Sequence, residues 1–374
     1  MRIDSLLLEN FRNIRQGSLT PGPGVNLIYG DNAQGKTNLV ESIWLLSGER
    51  SFRYGRESDI PRLEMDRGTE RSRILAAIRS EGREQEIEYI LHPRRQIRLN
   101  GIVLPGRSAL SGKLCCVVFS PTHLSLIKDG PSGRRDFLDG AICQLRPQYS
   151  RVLADYQRAL TQRGSLLRDI PRNRYLEEML DIWDSHIVRL GGLILTTRYS
   201  YLRRLEGFAA EFHRGISSGQ EELELRYAVG GAGEEIDPGA DRESVGEMLR
   251  AALLHGRQED IRTGSTGVGP HRDDLDIRIN GISARSFASQ GQQRSAVLSL
   301  KLAECEMIRD TAGSHPVVLL DDVMSELDRS RRAYLLGRME GRQVFITACD
   351  DSLLRETDTA GLFHVDGGVI TPMH

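Results

Sequence analysis

Apolar and polar residues follow two rhythms along this chain, and the changes of rhythm divide it. In residues 1–120 the period is two. Ser72–Ser80, Glu84–Leu91 and Gln96–Leu99 alternate as half-buried strands do, and Asn100-Gly101 marks a hairpin turn. Residues 1–30 also read as strands, ending in the apolar Val25–Tyr29. Leu114–Phe119 is apolar without interruption, which predicts a buried strand that Ser120-Pro121 ends.

From about 131 to 213 the period becomes three to four. Leu176, Met179, Leu180, Trp183, Ile187, Leu190, Ile194, Tyr201, Leu205, Phe208 and Phe212 recur at that spacing and predict one helix over 174–213. Unbroken, it would run about 60 Å. Its stripe is core-like, and too short and irregular for a long coiled coil. Glu221–Val229 reads as a strand, Gly230–Gly239 as a loop, Asp241–Arg262 as a helix and Leu275–Ile279 as a strand before Asn280-Gly281. The last hundred or so residues return to α/β alternation. The expected fold class is therefore α/β, with a mixed sheet and flanking helices in one lobe (1–120 and 264–374) and a mainly helical second lobe (121–263).

Composition adds exclusions. With 39% apolar residues, 27% charged and a mean hydropathy of -0.36, the chain reads as an ordinary soluble protein. No apolar run approaches the roughly 20 residues of a membrane span, and Met1-Arg2-Ile3-Asp4 is too charged to open a signal peptide. Five cysteines show no C-x-x-C spacing, which argues for a reducing compartment and against a zinc site. A cytoplasmic protein without membrane partners is expected. Net charge is -2, so any nucleic-acid binding must come from local patches.

The chemistry begins at Gly30-Asp-Asn32-Ala-Gln-Gly35-Lys36-Thr37, which fits G-x-x-x-x-G-K-[ST] between a strand and the helical run Asn38–Leu46. Gly30 and Gly35 allow backbone angles and a close approach that a side chain would block. Successive N–H groups and the helix N-terminus then suit phosphate oxygens. Lys36 supplies a point charge to the outer phosphates, and Thr37 a hydroxyl for Mg²⁺. Only four lysines occur among the 50 basic residues, so a chance match here is rarer than usual. The nucleotide expected is ATP.

A metal-holding element belongs downstream. Val317–Leu320 is an apolar strand with Asp321 and Asp322 at its C-terminal end, the edge where open α/β sheets bind ligands. Asp321 is placed to hold Mg²⁺ through water, and Asp322 to polarise an attacking water. Upstream, Ser289-Gln290-Gly291-Gln292-Gln293-Arg294 precedes a helical pattern. Ser289 and Gly291 thus stand at a helix N-terminus, either as an ordinary cap or as an anion site.

Taken together, these elements resemble the ATP-binding-cassette superfamily, whose order is phosphate loop, signature loop, acidic strand and a short loop ending in Leu-Asp. Leu319–Asp322 followed by Ser325-Glu326-Leu327-Asp328 keeps that order. Within the superfamily the chain is similar to the RecF family of bacterial recombination mediators. The resemblance is carried by Glu9-Asn10-Phe11-Arg12-Asn13, Gly130–Asp139, Pro147-Gln148-Tyr149, Gly269–Asp274 and Ser289–Arg294, and spans almost the whole chain.

The resemblance implies an SMC- and Rad50-like head without the long coiled coil. It also implies a weak, DNA-stimulated ATPase that works as a switch. ATP would dimerise the chain on double-stranded and gapped DNA, and RecR with RecO would join it to promote RecA loading. By the same resemblance Ser289, Gln290, Gly291 and Gln292 close on the nucleotide of a second protomer. Arg12, Asn13, Asn32, Asn38 and Asp328 lie near nucleotide, and Asp322 and Lys36 are catalytic.

The sequence departs from the superfamily where Asp322 replaces the usual Glu. It departs again where Phe345-Ile346-Thr347-Ala348-Cys349 lacks the usual switch histidine. The alternative is another SMC/Rad50-like or a transporter-type cassette subunit. Transporter chains place the signature soon after the phosphate loop, whereas here the helical block intervenes.

Overall fold

The computed structural model describes residues 1–53, 55–230, 237, 239–349 and 358–373. Most of the loop expected at Gly230–Gly239 lies outside the described residues.

The chain opens with β1 (Arg2–Phe11), which turns through Arg12 and Asn13 into its antiparallel neighbour β2 (Ile14–Leu19). β3 (Val25–Tyr29) leads through the glycine-rich loop into α1 (Lys36–Leu45). β4 (Ser72–Ser80), β5 (Arg83–His92), β6 (Gln96–Leu99) and β7 (Ile102–Val103) then complete an antiparallel sheet of order β2-β1-β4-β5-β6-β7. Alternation makes this sheet two-faced. Ile74, Ala76 and Ile78 are buried, while on the polar face Arg73 reaches Glu9 at 2.7 Å and Glu88 at 3.0 Å. β8 (Cys116–Phe119) is buried throughout, as its apolar run predicts, and α2 (Pro121–Leu124) follows.

The helical block consists of α3 (Pro131–Leu145), α4 (Pro147–Asp169) and α5 (Leu180–Ile216). Proline opens both α3 and α4, at the position where a missing N–H is harmless. The long helix starts later than its periodicity predicts. Residues 174–179 form a 3-10 turn, because the Asn173 side chain accepts the Tyr175 N–H, and Tyr175 and Met179 are exposed. β9 (Leu223–Ala228), α6 (Arg242–Thr263), β10 (Asp274–Ile279), β11 (Ile282–Ser283) and α7 (Ala284–Phe287) follow. Gly191 does not break α5; a Cβ there would stand 3.3 Å from Leu249 of α6. Arg163 of α4 is fully buried and pairs with Asp184 of α5 at 2.6 Å and Asp260 of α6 at 2.7 Å, tying three helices together.

α8 (Gln290–Ala312) precedes β12 (Val317–Leu320), α9 (Arg329–Gly337), β13 (Val344–Ala348), β14 (Thr359–Asp366) and β15 (Val369–Met373). These strands join β3 and β8 in a mixed sheet of order β15-β14-β3-β13-β12-β8. β14, β3, β13, β12 and β8 are parallel, with Ala348 opposite Tyr29 and Leu320 opposite both Ile346 and Phe119. The glycine-rich loop and the acid pair therefore leave from one edge of one sheet.

Two compact units result: Met1–Ser125 with Gly215–Ser218 and Arg294–His374, and Leu126–Arg214 with Gly219–Gln293. The sequence reading returns the chain to the first lobe at 264, whereas the second unit keeps it to Gln293. The reason is β10, whose strand partner is β9 of the second unit. Among the described residues no helix is long and apolar enough to cross a membrane.

Candidate functional site

The glycine-rich loop is shaped by backbone that only glycine adopts readily. Gly30 and Gly35 have φ of 151° and 119°, and a Cβ on Gly30 would stand 2.2 Å from the Val365 carbonyl oxygen. Neighbours hold the loop from both sides. Asn13 donates to the Gln34 carbonyl at 2.9 Å and accepts from Asn38 at 2.7 Å. Gly367 N–H donates to the Gln34 side chain at 2.6 Å, and Asn32 Oδ1 accepts from the Cys349 thiol at 3.2 Å. α1 starts with no side-chain cap and no acid in its first turn, so its leading N–H groups suit an anion.

Lys36 is only 4% exposed, and its ammonium donates to two loop carbonyls, Gly30 at 2.6 Å and Asp31 at 2.9 Å. A buried cation whose partners are neutral carbonyls is suited to an anionic ligand. This is an observation of the fold in favour of a phosphate.

At the same sheet edge Thr37 donates to Asp321 Oδ1 at 3.0 Å. Burial pushes the Asp321 carboxyl up to about 6, and the neighbouring Asp322 charge pushes the same way; the Thr37 and Thr347 hydroxyls oppose it. A buried carboxylate beside a hydroxyl is a hard oxygen pair of the kind Mg²⁺ takes, with phosphates and water completing its shell. Among the described residues no cluster of three or more His, Cys, Asp or Glu could hold a metal alone. Thr37 and Asp321 thus fit Mg²⁺ as shared ligands.

Asp322 stands in left-handed backbone, φ 52°, uncommon outside glycine and found most often for Asn and Asp among other residues. Its N–H donates to Thr347 Oγ1 at 2.8 Å. Sequence reasoning missed Thr347 as a site residue. Val344–Ile346 is an apolar stretch that breaks to a hydroxyl residue, but only the pairing of β13 with β12 sets that residue level with the acid pair.

The remaining expected residues divide. Arg12, expected near nucleotide, makes a two-pronged pair with the buried Glu41 at 2.9 and 2.6 Å and donates to the Asp59 carbonyl. Asp328 caps α9 by accepting the Arg331 N–H, which holds its carboxyl below the usual range. Ser289 and Gln292 lie in the second unit and cap α8 reciprocally: Ser289 N–H donates to Gln292 Oε1 at 2.8 Å, and Gln292 N–H to Ser289 Oγ at 3.2 Å. Gln290 and Gly291 form the first turn of that helix.

Arg134 is 2% exposed and bound two-pronged to Asp274 at 2.6 and 2.9 Å. Arg135 donates to the Asp273 carbonyl at 2.7 Å. His271 is structural, held by Tyr156 and the Thr266 carbonyl, and burial lowers it to about 4.

Comparison with known proteins agrees with this geometry. Residues 2–371 match the RecF/RecN/SMC N-terminal domain. The DNA replication and repair protein RecF of Symbiobacterium thermophilum is 41% identical, over 99% of this chain and 98% of the relative. That of Acetivibrio thermocellus is 39% identical over 94% of each. A solved structure of the recombination mediator protein RecF-ATPrS in the RecFOR pathway superposes with a TM-score of 0.91 at 36% identity, covering 100% of this chain and 98% of that one. The Smc head domain of Pyrococcus furiosus shares the fold alone, with a TM-score of 0.54 at 16% identity and coverage of 99% and 95%. An α/β cassette-type ATPase fold, a phosphate loop facing an acid pair, and relatives matched almost end to end together place the chain in the RecF family.

Proposed function

We propose that this chain is an ATP-dependent, DNA-binding recombination mediator that dimerises on DNA when ATP is bound and dissociates after hydrolysis. The observation that carries the reading is the convergence of Lys36, Thr37, Asp321 and Asp322 at one sheet edge. Lys36 exchanges its loop carbonyls for phosphate oxygens, and the α1 N-terminus adds its dipole. Thr37 and Asp321 would hold Mg²⁺, which would supply charge neutralisation at the phosphates. Asp322 orients the attacking water and accepts its proton. Asp is one methylene shorter than Glu, which suits slow turnover.

In the dimer, Ser289 to Gln292 of one protomer close on the nucleotide held by the other, with Asp328, Arg12, Asn13, Asn32 and Asn38 lining or bracing that site. Nucleotide then acts as a removable bridge between two equivalent subunits. RecF relatives bear names of DNA replication and repair, and one solved relative is placed in the RecFOR pathway. These names support DNA and the RecFOR pathway as the setting, within which gapped duplex DNA, RecR and RecO are the proposed partners and RecA loading the proposed outcome.

Lys36→Ala tests the reading. Loss of the phosphate charge partner should weaken a fluorescent ATP analogue by about a hundredfold or more, or about 3 kcal/mol. Light scattering with saturating ATP and gapped DNA should show a dimer for the native chain and a monomer for the variant. Unchanged affinity in Lys36→Ala would contradict the proposal.

A further inference from the structure

Thr347 lies at the C-terminal end of β13 and is 1% exposed. Its hydroxyl meets three groups. It accepts the Asp322 N–H at 2.8 Å, and stands 3.1 Å from Asp321 Oδ1 and 3.3 Å from Asp322 Oδ1. Both carboxylate oxygens are acceptors, yet a hydroxyl carries one proton. It therefore serves one carboxylate fully at a time. Asp321 Oδ1 already accepts from Thr37 at 3.0 Å, so Asp321 is the better supplied of the two.

Two further facts make the position more than a filled corner. Asp322 has φ of 52°, a conformation uncommon outside glycine that a local hydrogen bond can hold. The Thr347 oxygen is the acceptor that pins its N–H. The register also fixes Thr347 level with the acids, since Leu320 and Ile346 are opposed one residue earlier on each strand.

We infer that Thr347 is a positioning residue that holds Asp322 in its left-handed backbone and turns its one hydrogen bond from Asp321 to Asp322 once a cation shares the charge of Asp321. Asp321 then becomes the weaker acceptor, and the O–H rotates to the stronger. No covalent bond is made or broken. Asp322 would thereby be oriented for water activation only where Asp321 shares its charge with a cation. The inference rests on the nucleotide reading of this site.

Thr347→Val removes the hydroxyl at nearly constant volume, and Thr347→Ser restores it. Three quantities decide: turnover of ATP at saturating Mg²⁺, the Kd of a fluorescent ATP analogue with Mg²⁺, and hydrogen exchange at the Asp322 amide in the ligand-free protein. In Thr347→Val turnover should fall about tenfold or more while Kd stays within about threefold. The Asp322 amide should exchange faster in this variant. Thr347→Ser should recover turnover to within about threefold of the native chain and keep the amide protected. Native turnover in Thr347→Val, or a serine variant no better than valine, would overturn the inference. Should the valine variant fail to fold, the serine variant decides alone, and a tenfold loss there counts against Thr347. A native chain that does not bind the analogue would instead refute the nucleotide reading.

Discussion

Asp321 is the residue in which burial and function pull apart. Its carboxyl is 4% exposed and pushed up to about 6, first by burial and then by Asp322. Because the shift is upward, the folded protein holds this proton more tightly than an exposed aspartate would. Below about pH 6 Asp321 is neutral and a poor partner for a cation; above it the charge is present. Mg²⁺-dependent affinity for ATP should therefore rise between pH 5 and 7, by about tenfold for each unit of pH below the midpoint. Asp321→Asn should flatten that dependence, and a titration of a fluorescent ATP analogue at several pH values measures both. Much of this chemistry was legible in the residues. The convergence of Lys36, Thr37 and Asp321 at one sheet edge was foreshadowed by type and spacing, because a site for phosphate and Mg²⁺ would demand glycine freedom, a cation and hard oxygens. Thr347 was not legible, because a hydroxyl at the end of an apolar strand gains meaning only from which strand lies beside it.

At the scale of elements, the glycine-rich loop tests how much of the site is backbone. Gly30 combines positive φ with a Val365 carbonyl 2.2 Å from where a Cβ would stand. Gly101, in the hairpin between β6 and β7, also has positive φ, 77°, but nothing lies within 4 Å of its Cβ position. Gly101→Ala should cost about 1 kcal/mol, the price of the backbone alone. Gly30→Ala should cost at least about 3 kcal/mol, since backbone must also move. Urea unfolding of the two variants checks the difference. Strands were read well where one pattern holds for a whole element, as in β4, β8 and β12. The start of α5 was misplaced because Leu176 and Met179 continue its spacing, while the Asn173 cap turns the chain into a 3-10 path first. The boundary at 264 failed for a similar reason: only the pairing of β10 with β9 assigns residues 274–279 to the second unit.

At the scale of the molecule the governing fact is a net charge of -2 on 374 residues. Long-range attraction to DNA would be weak for such a chain, so the proposed affinity would have to come from local basic contacts, doubled if the chain dimerises as proposed. If ATP makes the dimer, ATP and DNA are linked ligands. Whatever factor ATP adds to DNA affinity, DNA must add to ATP affinity. Ser289→Arg places a bulky cation on the α8 cap that the proposed dimer brings to the partner's nucleotide. It should leave ATP binding by the monomer near native and remove the linkage in both directions. Fluorescence anisotropy with gapped DNA, with and without ATP, should show a gain of about tenfold or more for the native chain and none for the variant. The native complex should also weaken steeply with salt, because phosphate contacts release counterions. A linkage that survives Ser289→Arg would separate DNA binding from nucleotide-driven dimerisation, and the second protomer would then have no part in holding the duplex.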